Sequence, residues 1–162
     1  MEKRYDFAAN EKKWQEYWAD NDIYKYDSDS AERVYSIDTP PPTVNGKIHV
    51  GHLSSYTHIE IVARHHRMKG EAVYFPFGYD DNGLPTERYV EKKNNIRAYE
   101  VPRDQFIELC LKDTAELEKE FYSLYKSAGF SCDLDNTYSS ISKNTQKISQ
   151  QSFIDLYKKF IL

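Results

Sequence analysis

Cysteine is nearly absent, with Cys110 and Cys132 the only two in 162 residues. Two thiols so far apart make neither a disulfide scaffold nor a zinc knuckle, and the N-terminus lacks the basic start and apolar run of a secretion signal. A reduced cytoplasmic protein is expected, with both cysteines structural. Long apolar runs are missing too, so no segment approaches a membrane span. Excess positive charge is also lacking: the net charge is −4, with 30% charged residues and a pI near 5.7. That balance leaves no general electrostatic footprint for nucleic acid. The motifs GxxxxGK[ST], GxGxxG and GxSxG do not occur. Internal repeats and low-complexity tracts are likewise missing. What remains is a chain long enough for one full hydrophobic core. It carries fourteen scattered tyrosines, amphipathic residues suited to the edge of a core.

Asn10 can cap a first helix whose aromatic positions are Trp14, Tyr17 and Trp18. After the polar break "SDSAE", the tract "RVYSIDT" alternates and is β-branched, which predicts a strand from Val34 to Thr39. Pro40, Pro41 and Pro42 end it, because they cannot donate to a ladder. From Val50 to Met68 a helical stripe of Val50, Leu53, Thr57, Ile61, Arg64 and Met68 is expected, closed by Gly70. A second strand follows at "AVYFPF". Strand, helix and strand at this spacing predict a βαβ unit with parallel strands and a right-handed crossover. A turn from Gly78 to Gly83 leads into another helix. The longest helix is expected over Pro102 to Ala128, with Phe106, Cys110, Leu117, Phe121 and Leu124 on one side. A last helix from Lys143 carries Ile148, Phe153, Leu156, Tyr157 and Phe160, and the chain stops at Leu162 with no stop signal.

The tract "PPPTVNGKIHVGH" occupies the loop between the first strand and its helix. In a βαβ unit that loop lies at the carboxyl end of the sheet, where ligands bind. Unpaired N–H groups and a partial positive charge at a helix start attract anions. His49 and His52, three residues apart, lie on one face of the first turn, and each can donate to a phosphate. Gly51 leaves room for a flat group to approach the backbone. Asn45, Gly46 and Lys47 add turn chemistry and a positive charge. Plain helix capping is the bland alternative, and a zinc site at this spacing lacks a third ligand nearby. In "GYDDNG", Asp80 or Asp81 can face an amine, although an aspartate capping the next helix explains the tract equally simply. His65 and His66, beside Arg64 and Arg67, read as a solvated basic face that complements the helix dipole.

Both tracts resemble a known family. His49-Val50-Gly51-His52 within "PPPTVNGKIHVGH" resembles the HIGH signature of class I aminoacyl-tRNA synthetases. "FPFGYDDNGLPTE" resembles the GxDxxGLPxE block of the valyl, isoleucyl and leucyl group. The two blocks are in order and in register, and the valyl branch is the nearest in pattern. The commoner valyl tract, Thr-Asp-His-Ala-Gly, differs from this one at Tyr79, Asp81 and Asn82, which keeps an isoleucyl or leucyl type open as the alternative. So does a short ATP-binding relative that charges no tRNA.

The resemblance implies an α/β chain, the first half of a Rossmann-like (HUP-type) parallel-sheet nucleotide-binding fold with flanking helices. Residues 1–32 would be an N-terminal helical segment and 33–162 the first half of the catalytic domain. It implies that His49 and His52 are catalytic through the ATP phosphates. Thr43, Asn45, Gly46 and Gly51 would complete the ATP site, with adenine against Gly51. Pro41 and Pro42 would line the amino-acid pocket, and Asp80 would hold the α-amino group. The implied substrates are ATP with Mg2+, valine and tRNA(Val), with no metal held by these residues and no membrane partner. An editing domain, a KMSKS-like loop and an anticodon-binding domain do not occur, so an unpaired sheet edge, able to pair with another chain, is expected.

Overall fold

A computed structural model describes residues 5–30 and 32–159 of the chain. Helix α1, Phe7–Asp20, begins at Asp6, whose carboxylate accepts from the Ala9 N–H at 3.0 Å. The expected cap, Asn10, instead lies inside the helix and donates its side-chain amide back to the Asp6 carbonyl at 2.7 Å. Asp6 has the extended backbone an N-cap needs. Trp14 and Tyr17 remain largely exposed, whereas Trp18 turns inward beneath the Arg64 guanidinium, 5.4 Å from its ring centroid.

Strand β1, Val34–Ser36, and strand β2, Ala72–Tyr74, pair in parallel with Val34 opposite Ala72 and Ser36 opposite Tyr74. Helix α2, Val50–Met68, lies between them in sequence, as the periodicity predicts. The first strand is shorter than expected. Its ladder extends past Ser36 only through the Ile37 N–H, which donates to the Tyr74 carbonyl at 2.9 Å. The tract "AVYFPF" breaks at Phe75, and strand β3, Pro76–Tyr79, follows. Pro76 has no N–H to give, which interrupts a continuous ladder. β3 pairs with strand β4, Asp133–Ser139, which the sequence pattern did not announce.

Helix α3, Leu84–Asn94, and a 3-10 turn, Ala98–Glu100, precede the long helix α4, Arg103–Ser127, within a residue of its predicted ends. Helix α5, Lys143–Lys158, starts on a Ser142 cap that accepts from the Thr145 N–H at 3.1 Å. Its apolar residues Ile148, Phe153, Leu156 and Tyr157 are exposed, and Phe160 lies outside the described residues.

Two compact units make up the chain, each assembled from separated stretches. The first takes the stretch ending at Thr39, Ile48–Phe77 and Lys119–Asn136. Its core is an aromatic cluster around the fully buried Tyr125, whose ring centroid lies 4.5 Å from Phe77, 5.0 Å from Tyr56 and 5.1 Å from Phe130. The second takes Pro40–Lys47, Gly78–Glu118 and the stretch from Thr137 onward, and buries Val44, Tyr79, Val90, Phe106 and Leu117.

The inward face of α2 differs from the expected stripe. Val50, Ile61 and Met68 are 81%, 61% and 88% exposed, while Tyr56, Glu60 and Ala63 are buried. Glu60 is satisfied at every turn: Ser131 donates to it from its N–H at 2.8 Å and from its hydroxyl at 3.0 Å, and Arg64 Nε donates at 2.5 Å. A satisfied acid can therefore sit where the periodicity asks for an apolar residue. None of the described helices is long and apolar enough to cross a membrane.

Candidate functional site

The first unit carries the two histidines. His49 is the N-cap of α2, and its Nδ1 accepts from the Gly51 N–H at 3.1 Å. His52, in the first turn, reaches back so that its Nδ1 accepts from the His49 N–H at 3.4 Å. The ring centroids stand 4.0 Å apart with a 37° tilt. This is a capping box built from two imidazoles in place of the usual serine and glutamate. Capping and ligand binding, alternatives at the level of sequence, are thus compatible. An Nδ1 that accepts carries no proton, so each neutral ring holds its proton on Nε2, the far side from the cap. Partial burial, and then the neighbouring His49, lower the pKa of His52, which favours the neutral ring.

Gly51 has an intramolecular reason for being glycine. A Cβ there would come within 2.9 Å of His49 Cε1 and 3.0 Å of His49 Nδ1. The capping ring thus folds over the space that the missing side chain leaves.

Arg64, His66 and Arg67 do not form the expected solvated face. Arg67 donates to the Ser131 carbonyl at 2.7 Å and to its hydroxyl, and Arg64 donates to the Gly129 carbonyl at 2.6 Å. His66 stacks on Tyr35 and bonds to Glu71. Only His65 of the adjacent pair remains exposed. A cavity of about 160 Å³ in the same unit is lined by Trp18, Tyr24, Tyr122 and Lys126, and by neither His49 nor His52.

The second unit brings together Pro42, Thr43 and Asp80. The Asp80 N–H donates to the Pro42 carbonyl at 2.9 Å, and the Val44 N–H donates to the Asp80 carbonyl at 2.8 Å. Thr43 and Asp80 form a parallel bridge. The proline tract therefore does more than end a strand, since its last residues pair with the chain leaving β3. The Thr43 hydroxyl donates to Asp80 Oδ2 at 3.2 Å, and the Ser140 hydroxyl lies 3.3 Å from Asp80 Oδ1. Asp80 is half-buried and can still meet a cation. Pro42 is buried, Pro41 and Gly46 are half-buried, and Asn45 is exposed.

Neither aspartate caps α3. Its N-cap is Gly83, at a φ of +106° that favours glycine, with no side-chain bond. Asp81 turns inward instead and is 5% exposed. Ser139 donates to its Oδ2 at 2.5 Å, and its own N–H donates to the Ser140 hydroxyl at 2.9 Å. Burial raises its pKa, and the carboxyl group facing it is Glu118 of α4. Sequence reasoning offered Asp81 only as an alternative to Asp80 for facing an amine, and it missed Glu118 and the serine pair. The available signal was an acid adjoining Leu117 on the buried stripe of α4.

Burial pushes the Cys132 thiol up to about 12, and burial also raises that of Cys110, which favours the protonated thiol in both. Among the described residues, no group of three His, Cys, Asp or Glu side chains is placed to hold a metal ion.

Comparison with known proteins gives a single answer at family level. The family model for class I tRNA synthetases (I, L, M and V) matches residues 13–162. The chain is 48% identical over 158 residues to the valine--tRNA ligases of Rickettsia felis and Rickettsia prowazekii, covering 97% of this chain and 18% and 19% of theirs. It therefore spans about a fifth of the length of these curated relatives. The crystal structure of an Agrobacterium radiobacter LeuRS-tRNA-LeuAMS ternary complex superposes with a TM-score of 0.81 over 96% of this chain and 18% of that one. At 24% identity that likeness establishes the fold, a class I synthetase catalytic fold of the Rossmann-like type. With matching motifs, fold and family model, the chain belongs to the class I tRNA synthetases of the isoleucyl, leucyl, methionyl and valyl group.

Proposed function

We propose that this chain is part of a valine--tRNA ligase, with residues 33–162 as the first half of its catalytic domain and residues 1–32 leading into it. The observation that carries the reading is the reciprocal histidine cap. It leaves two Nε2–H donors at the start of α2, where backbone N–H groups and the helix dipole already favour an anion. His49 and His52 bind the phosphates of Mg2+-bound ATP, a substrate, with Thr43, Asn45, Gly46 and Gly51 completing the nucleotide site. Asp80, held by Thr43, anchors the α-amino group. Pro41 and Pro42 line the side-chain pocket.

The valine carboxylate attacks the α-phosphorus of ATP. A carboxyl O–P bond forms, the bond to the bridging oxygen of pyrophosphate breaks, and valyl-adenylate and pyrophosphate result. The terminal ribose hydroxyl of tRNA(Val) then attacks the acyl carbon and releases AMP. In the first step these residues position the reactants and neutralise charge growing on the phosphates, and neither imidazole has to remove a proton. A cytoplasmic location is part of this reading, supported by two cysteines that remain unpaired.

Amino-acid-dependent pyrophosphate exchange by the intact protein tests this reading, run across valine, isoleucine and leucine. Valine is expected to give the highest kcat/KM, and His52→Ala to slow exchange about 10²- to 10³-fold, the cost of one charge-stabilising donor. A preference for isoleucine or leucine would reassign the substrate. An unchanged rate in His52→Ala would remove the histidine from the site.

A further inference from the structure

We propose that Asp81 and Glu118 share one proton and, as a carboxyl pair, hold Asp80 in position for the amino group of the amino acid, a role that rests on the assignment of Asp80 above. Asp81 has one oxygen occupied by the Ser139 hydroxyl. Its other oxygen, Oδ1, is buried and receives no hydrogen bond from any donor among the described residues. An orphaned carboxylate oxygen in such a place is costly. The side chain that faces Asp81 is the half-buried carboxyl of Glu118. Two carboxylates can only accept, so the pair makes a bond only when one of them is protonated. One proton on Glu118 supplies the missing donor and removes the repulsion together.

The charges around the pair point the same way. Asp80 adds a third carboxylate beside Asp81. From β4 and the residue after it, the hydroxyls of Ser139 and Ser140 reach Asp81 and Asp80. Among the described residues, no lysine or arginine forms an ion pair with any of the three acids. Burial, and then Asp81, raise Glu118 to about 7, so the shared proton persists to neutrality.

One hydroxyl bridges Asp81 to the Asp80 carboxylate. Ser140 Oγ accepts from the Asp81 N–H at 2.9 Å and lies 3.3 Å from Asp80 Oδ1, where it acts as the donor. If Asp81 shifts to escape a charged Glu118, Ser140 is drawn with it and the Asp80 carboxylate keeps only the Thr43 hydroxyl. Asp81 and Glu118 are therefore positioning residues that touch no substrate.

The test uses the intact ligase and the KM for its amino acid in pyrophosphate exchange. Asp80→Asn addresses the underlying assignment, and an unchanged amino-acid KM there would overturn the role of Asp80 itself. For the pair, Glu118→Ala is expected to raise the amino-acid KM about tenfold, the scale of one orphaned buried oxygen, while the KM for ATP is unchanged. Glu118→Gln, whose amide donates permanently to Asp81, is expected to recover most of that loss. It should also abolish a rise in KM that the natural protein shows as the pH passes about 7. If Glu118→Ala fails to fold, the pH profiles of the natural protein and Glu118→Gln still decide. Infrared difference spectra between those two should show a protonated carboxyl below that pH and none above it. A missing band would overturn the shared proton. Glu118→Gln behaving like Glu118→Ala, or Glu118→Ala leaving the KM unchanged, would overturn the positioning role.

Discussion

At the scale of the residue, Gly51 shows how one sequence signal can carry two requirements. Its place between two histidines suggests space for a ligand, and the structure shows that the His49 ring already uses the adjacent space. Gly51→Ala should push that ring off the Gly51 N–H that it caps. The lost cap is expected to cost about 1 kcal/mol of stability. Pyrophosphate exchange should fall further than that, because a displaced His49 no longer aims its Nε2–H. Denaturant unfolding and exchange kinetics on one preparation would separate the two effects, and a variant equal to the natural protein in both would show that the cap is dispensable. The histidines, Gly51 and Asp80 were legible as residues because each matches a chemistry at a recognisable spacing. Their tautomers were not, since those depend on which nitrogen meets which backbone N–H.

At the scale of the element, α2 was legible in its ends and not in its face. His49 and Gly70 are local signals, and local signals set helix limits. The buried face depends on Ser131, which is 71 residues from Glu60 in sequence and satisfies it by two hydrogen bonds. Nothing within α2 reports that partner. The same holds for β4: its tract "DLDNTYS" is polar, and Asn136 bonds back to Asp133 through its N–H at 3.2 Å and its side chain at 2.7 Å, a turn-like pattern that hides a strand. Its residue Tyr138 packs against Gly78, so closely that an added Cβ would overlap the ring.

Glu60→Ala is the informative substitution for α2. It strands the Ser131 N–H in the core and leaves Arg64 with the Gly129 carbonyl and the Trp18 and Tyr24 rings but no carboxylate. A loss of about 2 to 4 kcal/mol is expected, between the cost of an orphaned buried polar group and that of a broken buried ion pair. The loss should be read from the denaturant midpoint. A shift below 0.5 kcal/mol, roughly the scale of an ordinary surface change, would mean that Glu60 is not the organising contact of this face.

At the scale of the whole molecule, the α/β class and the parallel strands were legible because a βαβ unit is a contiguous piece of sequence. The two units were not, because each gathers stretches that the chain visits in turn. Asp80, Asp81 and Glu118 share one unit with Ser139 and Ser140, which arrive from beyond residue 137. The acids of the chain then divide by the sign of their pKa shifts. Hydrogen bonds from His66, Ala98 and Lys93 lower Glu71, Glu91 and Glu116 respectively, so their stabilisation is present above the ordinary carboxylate range and is lost as the pH falls. Asp81 and Glu118 are raised, so the folded pair holds a proton that the unfolded chain has released, and the stabilisation it gives fades as the pH climbs from the ordinary carboxylate range to about 7. Stability is expected to peak on the acid side of neutrality. Glu118→Gln should flatten the decline on the alkaline side of that peak and leave the acid side as it was, because the amide removes one titration and touches none of the other three. Denaturant midpoints measured across the pH range would show this directly. An identical alkaline slope in the variant and the natural protein would place the decline on another group.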